Sequence, residues 1–389
     1  MSEASPPRVS KRLYLDYASS CPISKAAADK IHDLLEKNTF YDPGRNYQEA
    51  LISREEIETA REKVALFLNS KPNEVIFTSS GTEAINMAAR GARLVGGRQG
   101  GTDYSSALSE AEHQAVKKSA RQNGYVVNIN ITPYGQIDLA HLKELLDGDQ
   151  KPVLVHCQIA NHEVGTIQPY KEAAALCERY GVFIHFDACM AAGYLPIDFA
   201  ELGADFLSVS SHKLGGPPGA GALILKRNKR IEPILLGGAQ ERGKRAGFEN
   251  ILSIAGFAAA CEKLSDPILI EKREKHFTKL HSHTLRQLNL LPGMEVYGAQ
   301  DSKLQHIICF KTPGVNGEAI LRELDRRSIA VHSGSACAAE AIEPSAVLES
   351  MGFSGDQSLR ISFGDTTSKE DVDYFIFCLT QALDKYRRP

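Results

Sequence analysis

Several shortages narrow the field before any motif is considered. The eight cysteines (Cys21, Cys157, Cys177, Cys189, Cys261, Cys309, Cys337 and Cys378) include no C-x-x-C pair and no Cys/His cluster at zinc-finger spacing. That argues against a disulfide scaffold and against any metal site. Long hydrophobic runs are missing: the most apolar stretch, Ile251 to Cys261, is too short to span a bilayer. The opening Met-Ser-Glu-Ala-Ser-Pro-Pro has no apolar segment to act as a signal peptide, so the expected setting is a reducing cytoplasm. Charge of one sign is also lacking. Lys+Arg 45 against Asp+Glu 48 gives −3, without the broad basic field that captures nucleic acid or anionic lipid, so any anion must be bound locally.

What remains is an ordinary globular composition, with 43% hydrophobic and 24% charged residues and 31 glycines over 389 positions. The length suffices for two or three domains and a large core. From about residue 60 to 225, short β-branched runs alternate with amphipathic segments, the pattern of a βαβ series and a parallel sheet. Val75–Ser79, Tyr104–Leu108, Tyr125–Ile129, Val153–Cys157, Val182–Phe186, Phe206–Ser210 and Gly221–Leu225 predict seven strands. Thr82–Arg90, Leu139–Leu146 and Tyr170–Tyr180 carry helical spacing between them. A long amphipathic stretch from Ile251 to about Leu290 precedes a smaller α+β region, with strands at Leu304–Phe310, Ile329–Val331 and Leu359–Phe363. Residues 1–11 are expected to be disordered.

Three strand ends carry chemistry. Val75-Ile-Phe-Thr-Ser-Ser-Gly-Thr runs from a strand into a helix, where Gly81 and Thr82 could cradle an anion on free backbone N–H groups. An ordinary helix cap would use the same residues. Asp187 ends an apolar strand, where a buried carboxylate needs a cationic partner. Ser210, Ser211, His212 and Lys213 end another, followed by a stiff Gly/Pro turn, and a desolvated lysine there suits a Schiff base beside a phosphate. An anion cradle, a strand-end Asp and a strand-end Lys, in that order, meet the needs of pyridoxal phosphate.

These segments resemble the fold-type I pyridoxal-phosphate enzymes, class V aminotransferases, and within them the cysteine desulfurases of the iron–sulfur-assembly type. The resemblance extends to Leu13-Tyr-Leu-Asp-Tyr-Ala, to the Glu-His segment at Ser109-Glu-Ala-Glu-His, and to Ala160-Asn-His-Glu-Val-Gly beside the family's Asn-Asn-Glu-(Ile/Val)-Gly. Gly237-Gly-Ala-Gln-Glu-Arg-Gly-Lys-Arg-Ala-Gly and Ser333-Gly-Ser-Ala-Cys337 complete it, over about residues 13 to 380. It implies a large cofactor-binding α/β domain with a seven-stranded, mainly parallel sheet at 12–262. A smaller α+β domain at 263–389, joined by some N-terminal residues, would carry the cysteine loop.

The implied roles follow. Lys213 would bind the cofactor and His113 would stack on its ring and move protons. Gly81, Thr82, Ser210 and His212 would hold the phosphate, Asp187 the ring nitrogen, and Met190 would lie beside the ring. Asn161 would orient ring hydroxyl and substrate, and Arg360 would grip the carboxylate of L-cysteine. Cys337, in a Ser/Gly/Ala stretch with little apolar anchoring, would be a mobile loop thiol that takes the sulfur as a persulfide to an acceptor protein, whereas Cys157, Cys189 and Cys309 read as inert packing. A homodimer is implied because the 237–247 segment crosses between subunits in the family.

Three positions depart from the family pattern: Met190 replaces a Gln that donates to the ring oxygen, Phe248 a Thr that reaches the partner's phosphate, and Asp42-Pro43 an Asn-Pro near the substrate carboxylate. Competing readings are a selenocysteine lyase, a persulfide-independent C–S lyase or aminotransferase of the same fold, and a non-catalytic scaffold.

Overall fold

A computed structural model of the chain describes residues 12–96, 105–333, 335–338 and 341–387. The reading of residues 1–11 lies outside them. The chain begins with β1 (Leu13–Tyr14), α1 (Lys25–Glu36) and α2 (Gln48–Phe67). The alternating series follows: β2 (Val75–Thr78), α3 (Gly81–Gly96), β3 (Ser105–Leu108), α4 (Gln114–Asn123), β4 (Tyr125–Asn128), α5 (Leu139–Asp147), β5 (Leu154–Gln158), α6 (Tyr170–Tyr180), β6 (Phe183–Asp187), β7 (Phe206–Ser210) and β8 (Gly221–Leu225). Then come α7 (Ile251–Leu264), α8 (Pro267–Leu288), β9 (Ile307–Lys311), α9 (Gly317–Arg326), β10 (Ile329–Ala330), β11 (His332–Ser333), β12 (Ser335–Ala338), β13 (Ala341–Pro344), α10 (Ala346–Ser350), β14 (Ser358–Ser362) and α11 (Lys369–Arg387).

The seven expected strands form one sheet in the order β2-β8-β7-β6-β5-β3-β4, with β8 antiparallel to both neighbours and the rest parallel. Its strands read as continuous apolar runs because helices cover both faces. One face packs on α2, α5, α6 and α7 through Phe77, Phe186, Leu207 and Phe257. The other meets α3 through Met87, Ala88, Phe206 and Leu223. Phe186 and Phe257 are fully buried, and cutting either to alanine would cost roughly 3–5 kcal/mol. A second apolar cluster joins Leu13 and Leu15 to Phe277, Phe310, Ile361 and Phe375. Strands β11-β14-β9 form a small antiparallel sheet there, and β1 pairs with β10.

Two expectations change. The stretch from Ile251 to about Leu290 is two helices, because Asp266 accepts the Ile268 N–H as a cap and Pro267 takes the first position of α8. α7 is buried on nearly every face, whereas α8 buries only one stripe, with Phe277, Leu280 and Leu288 on it. The second change is at Cys337, expected on a mobile loop: Ser335–Ala338 and Ala341–Pro344 pair as an antiparallel hairpin with Cys337 opposite Ile342. A ladder of this kind is held by backbone hydrogen bonds, which leave no signal in a Ser/Gly/Ala sequence. Among the described residues, no helix is long and apolar enough to cross a membrane.

Candidate active site

Parallel pairing brings the chemistry-bearing residues to one edge. Gln158 stands in register with Asp187, Asp187 with Ser208, and Ser210 with Gly221. The carboxyl ends of β5, β6 and β7 therefore open together beside the start of α3, where open α/β sheets bind ligands. A cavity of about 490 Å³ lies there, lined by Gly81, Thr82, His113, Asp187, Met190, Ser210, His212, Lys213 and Arg360.

At the start of α3, Ser80 Oγ accepts the Glu83 N–H (3.2 Å) and Glu83 accepts the Ser79 N–H (2.7 Å). Ser80 caps the helix, and among the described residues the Gly81 and Thr82 N–H groups have no acceptor, as an anion cradle would require. The backbones pack so closely here that a Cβ on Gly81 would meet Cys189 Sγ at 2.5 Å, and one on Gly221 would meet the Ser80 carbonyl carbon at 2.6 Å. Ser210 Oγ and His212 Nδ1 share a hydrogen bond of 2.9 Å. Burial and the neighbouring Lys213 charge lower the His212 pKa to about 4, so its ring is neutral at pH 7.

Asp187 is 7% exposed. Its carboxyl group accepts the Cys189 N–H (2.9 Å) and has no ion pair among the described residues, which leaves it buried and facing the cavity. The Lys213 amine, on a single 3₁₀ turn (Ser211–Lys213), donates to the Ala18 carbonyl. Burial first, and then the Arg360 charge, lower its pKa to about 8. His113 caps α4 by accepting the Ala115 N–H at Nδ1 (3.1 Å). That nitrogen therefore carries no proton, and the neutral ring keeps its proton on Nε2. Desolvation lowers the His113 pKa more than the nearby Asp187 charge raises it.

Arg360 is 4% exposed and already engaged: Nη2 donates to Asp16 and Ser19 (both 2.7 Å) and Nη1 to the His162 carbonyl (2.8 Å). Its Nε has no partner among the described residues. Asp16, not Asp42, is thus the carboxylate beside this guanidinium. Asp42 pairs with Arg45 (2.9 Å) and does not line the cavity.

Asn161 needs a larger correction. It is fully buried, donates to the Ala111 carbonyl (3.1 Å) and accepts the Glu163 and Val164 N–H groups, so it braces a turn and is absent from the cavity wall. The neighbouring His162 faces the cavity instead, edge-on to His113 with ring centroids 5.3 Å apart. The signal was present in the motif, where this chain has Asn-His for Asn-Asn. Cys189 was read as packing but lines the cavity, while Cys157 and Cys309 are buried. Burial and the adjacent Asp187 push the Cys189 thiol pKa well up, so it stays protonated. Glu112, 2% exposed beside His113, was missed. Its Oε1 accepts the Gln158 N–H (2.7 Å), Oε2 is unpartnered among the described residues, and burial pushes its pKa up to about 8. His332 also lines the wall. Phe248 is 57% exposed. Cys337 stands on a hairpin rooted at both ends in the cavity wall, by His332 and by Ser345.

This donor set fits pyridoxal phosphate: free amides and hydroxyls for the phosphate, an unpaired carboxylate for a ring cation, and a lysine with a lowered pKa. Comparison with known proteins agrees. Cysteine desulfurase IscS of Dictyoglomus turgidum is 33% identical over 385 residues, covering 97% of this chain and 96% of the relative. Cysteine desulfurase IscS of Vibrio cholerae is 33% identical over 386 residues, covering 96% and 93%. The X-ray structure of a NifS-like protein from Rickettsia africae superimposes with a TM-score of 0.86 at 28% identity, covering 96% of this chain and 99% of that one. The model of the class-V aminotransferases matches residues 13–375, and by that match and those relatives this chain belongs to the class-V aminotransferase family.

Proposed function

We propose that this chain is a pyridoxal-phosphate-dependent cysteine desulfurase, which removes sulfur from L-cysteine, releases L-alanine and carries the sulfur as a persulfide on Cys337 to an acceptor protein. The observation that carries the reading is the buried Asp187, without an ion pair among the described residues, in the same cavity as a lysine of lowered pKa and as His332 and Ser345, which flank the hairpin that bears Cys337. The related IscS proteins support it by name. Bound pyridoxal phosphate would supply an electron sink, which no side chain here offers. Lys213 would hold its aldehyde carbon. Asp187 would keep the ring nitrogen protonated, and the Gly81 and Thr82 amides would bind the phosphate with Thr82, Ser210 and His212.

His162, not Asn161, would face the ring hydroxyl beside Met190, whose thioether cannot donate a hydrogen bond. Asn161 would position it by fixing the turn. Arg360 would take the substrate carboxylate, held in orientation by Asp16, Ser19 and the His162 carbonyl. The Cys337 thiolate would attack the substrate sulfur. An S–S bond forms, the C–S bond breaks, and its electron pair stays on the carbon skeleton, which leaves as alanine once protonated. His113, with its proton on Nε2, is placed to move that proton.

The test is product analysis on the purified holoenzyme. L-cysteine with a reductant should give sulfide and alanine in equal amounts. Pyruvate and ammonia in place of alanine would instead identify a C–S lyase and end this reading.

We also propose a homodimer and a cytoplasmic setting. Phe40, Tyr41, Tyr47, Leu51, Leu236 and Phe248 are each at least 42% exposed, large apolar side chains that a partner subunit would cover. The 237–247 segment is held firmly in place. Arg61 and Glu241 pair in the interior (2.8 Å), Arg245 pairs with Glu83 (2.9 Å), and Glu241, Arg242 and Gly243 take successive positive φ of 46°, 58° and 74°. The two non-glycine residues cost about 1–2 kcal/mol each, which suits a segment shaped to meet a partner. Sedimentation should give twice the 42.5 kDa chain mass, and a fully active monomer would refute the dimer. The second apolar cluster, which draws in Leu13 and Leu15, supports a small domain at 263–389 completed by N-terminal residues, beside a large one at 12–262.

A further inference from the structure

A separate cavity of about 580 Å³ lies between the end of α2, the start of α8 and the loop leading into β9. Its walls are mainly apolar, with Phe67, Leu195, Ile197, Leu264, Ile270 and Phe277 among them. Two nitrogen groups interrupt the pattern. Lys303 is 7% exposed, yet among the described residues its amine has no ion pair and donates no hydrogen bond. His306 is 1% exposed, is stacked on Tyr194 at 3.4 Å, and has an unpartnered Nε2. Close to Lys303, His281 has a second unpartnered Nε2.

The other charged groups do not resolve this. Arg273 is engaged with Asp365 (2.7 Å) and the Gly193 carbonyl, and Glu274 lies exposed on the cavity rim without an ion pair to Lys303. A buried ammonium with no ion pair among the described residues is an unfavourable arrangement that an anion would relieve. Burial lowers the Lys303 pKa, as expected of a charge waiting for its partner. One buried cation matches a singly charged head, and the apolar walls match a short hydrocarbon.

We propose that this cavity is a binding site for a small monocarboxylate with an apolar chain, the carboxylate meeting Lys303 and the chain lying against the apolar wall. It shares no lining residue with the cavity that holds Asp187 and does not depend on the reaction proposed there.

The chain contains no tryptophan, so Ile270→Trp, at a rim position 43% exposed, puts a single fluorophore at the mouth. Hexanoate added to the I270W holoenzyme should give a saturable change in emission and should raise the thermal midpoint of the unmodified holoenzyme. Hexan-1-ol should bind at least about tenfold more weakly, and inorganic phosphate should not compete. Lys303→Met and Lys303→Gln, each combined with I270W, should lower hexanoate affinity at least about tenfold, and using two variants guards against one failing to fold. Equal binding of the alcohol would reduce the site to an apolar void, and equal binding of phosphate would reduce it to a surface charge effect. Undiminished affinity in both lysine variants, or no hexanoate response in either readout, would equally overturn the proposal.

Discussion

Cys337→Ala is expected to keep the cofactor and lose desulfuration, with sulfide release from L-cysteine falling by at least about a thousandfold. The size of the effect follows from the lack of a substitute. Cys189 lines the same cavity, but burial and Asp187 push its pKa well up. Cys21, which donates to the Lys213 carbonyl at 3.1 Å, is also shifted upward by burial. Neither offers a thiolate near pH 7. Cofactor binding should survive because the residues proposed to hold the cofactor lie on other elements, at the ends of β6 and β7 and the start of α3. Mass spectrometry after exposure to L-cysteine should find the protein heavier by one sulfur atom in the wild type and unchanged in the variant. Desulfuration at the wild-type rate in Cys337→Ala would remove the persulfide route.

Lys213→Ala should abolish covalent attachment of the cofactor, so that borohydride fixes none to the protein, and should abolish turnover. An amine must be neutral to attack an aldehyde. With the pKa lowered from 10.5 to about 8, the neutral fraction at pH 7.5 rises roughly two-hundredfold over that of an ordinary lysine. Capture of pyridoxal phosphate by the apoenzyme should therefore speed up as pH rises towards 8 and level off above it, where an unperturbed lysine would still be gaining up to 10.5. Arg360 is the second cause of the shift, so Arg360→Gln should move that midpoint upward. A fixed linkage that persists in Lys213→Ala would show that another amine is used.

The parts of the site that the sequence made legible are those fixed by local geometry. Asp187 and Lys213 each end an apolar strand, and parallel pairing aligns such ends whatever the details of the sheet. The Ser80, Gly81 and Thr82 turn reads as cap and cradle because both follow from the first turn of a helix. The strands β2, β5, β6, β7 and β8 were visible for a similar reason, since burial on both faces favours apolar runs, whereas the edge strand β4 is half exposed.

Choices between adjacent residues, and pairings across long separations, were left to the tertiary structure. Asn161 and His162 are neighbours in a motif, and the direction of the chain through the turn decides which enters the cavity, because the Asn161 amide is used up on backbone groups at 50 residues' separation and nearby. Asp16 meets Arg360 across 344 positions, a pairing no local pattern encodes. The raised Glu112 pKa and the lowered Lys213 pKa likewise come from the surroundings that folding builds, since desolvation depends on what packs around a group and not on which residues flank it in the chain. Composition and periodicity by themselves therefore determined the class of sheet and its reactive edge, while packing alone determined which side chains face the cavity and in what charge state, because orientation and dielectric are properties of the assembled core.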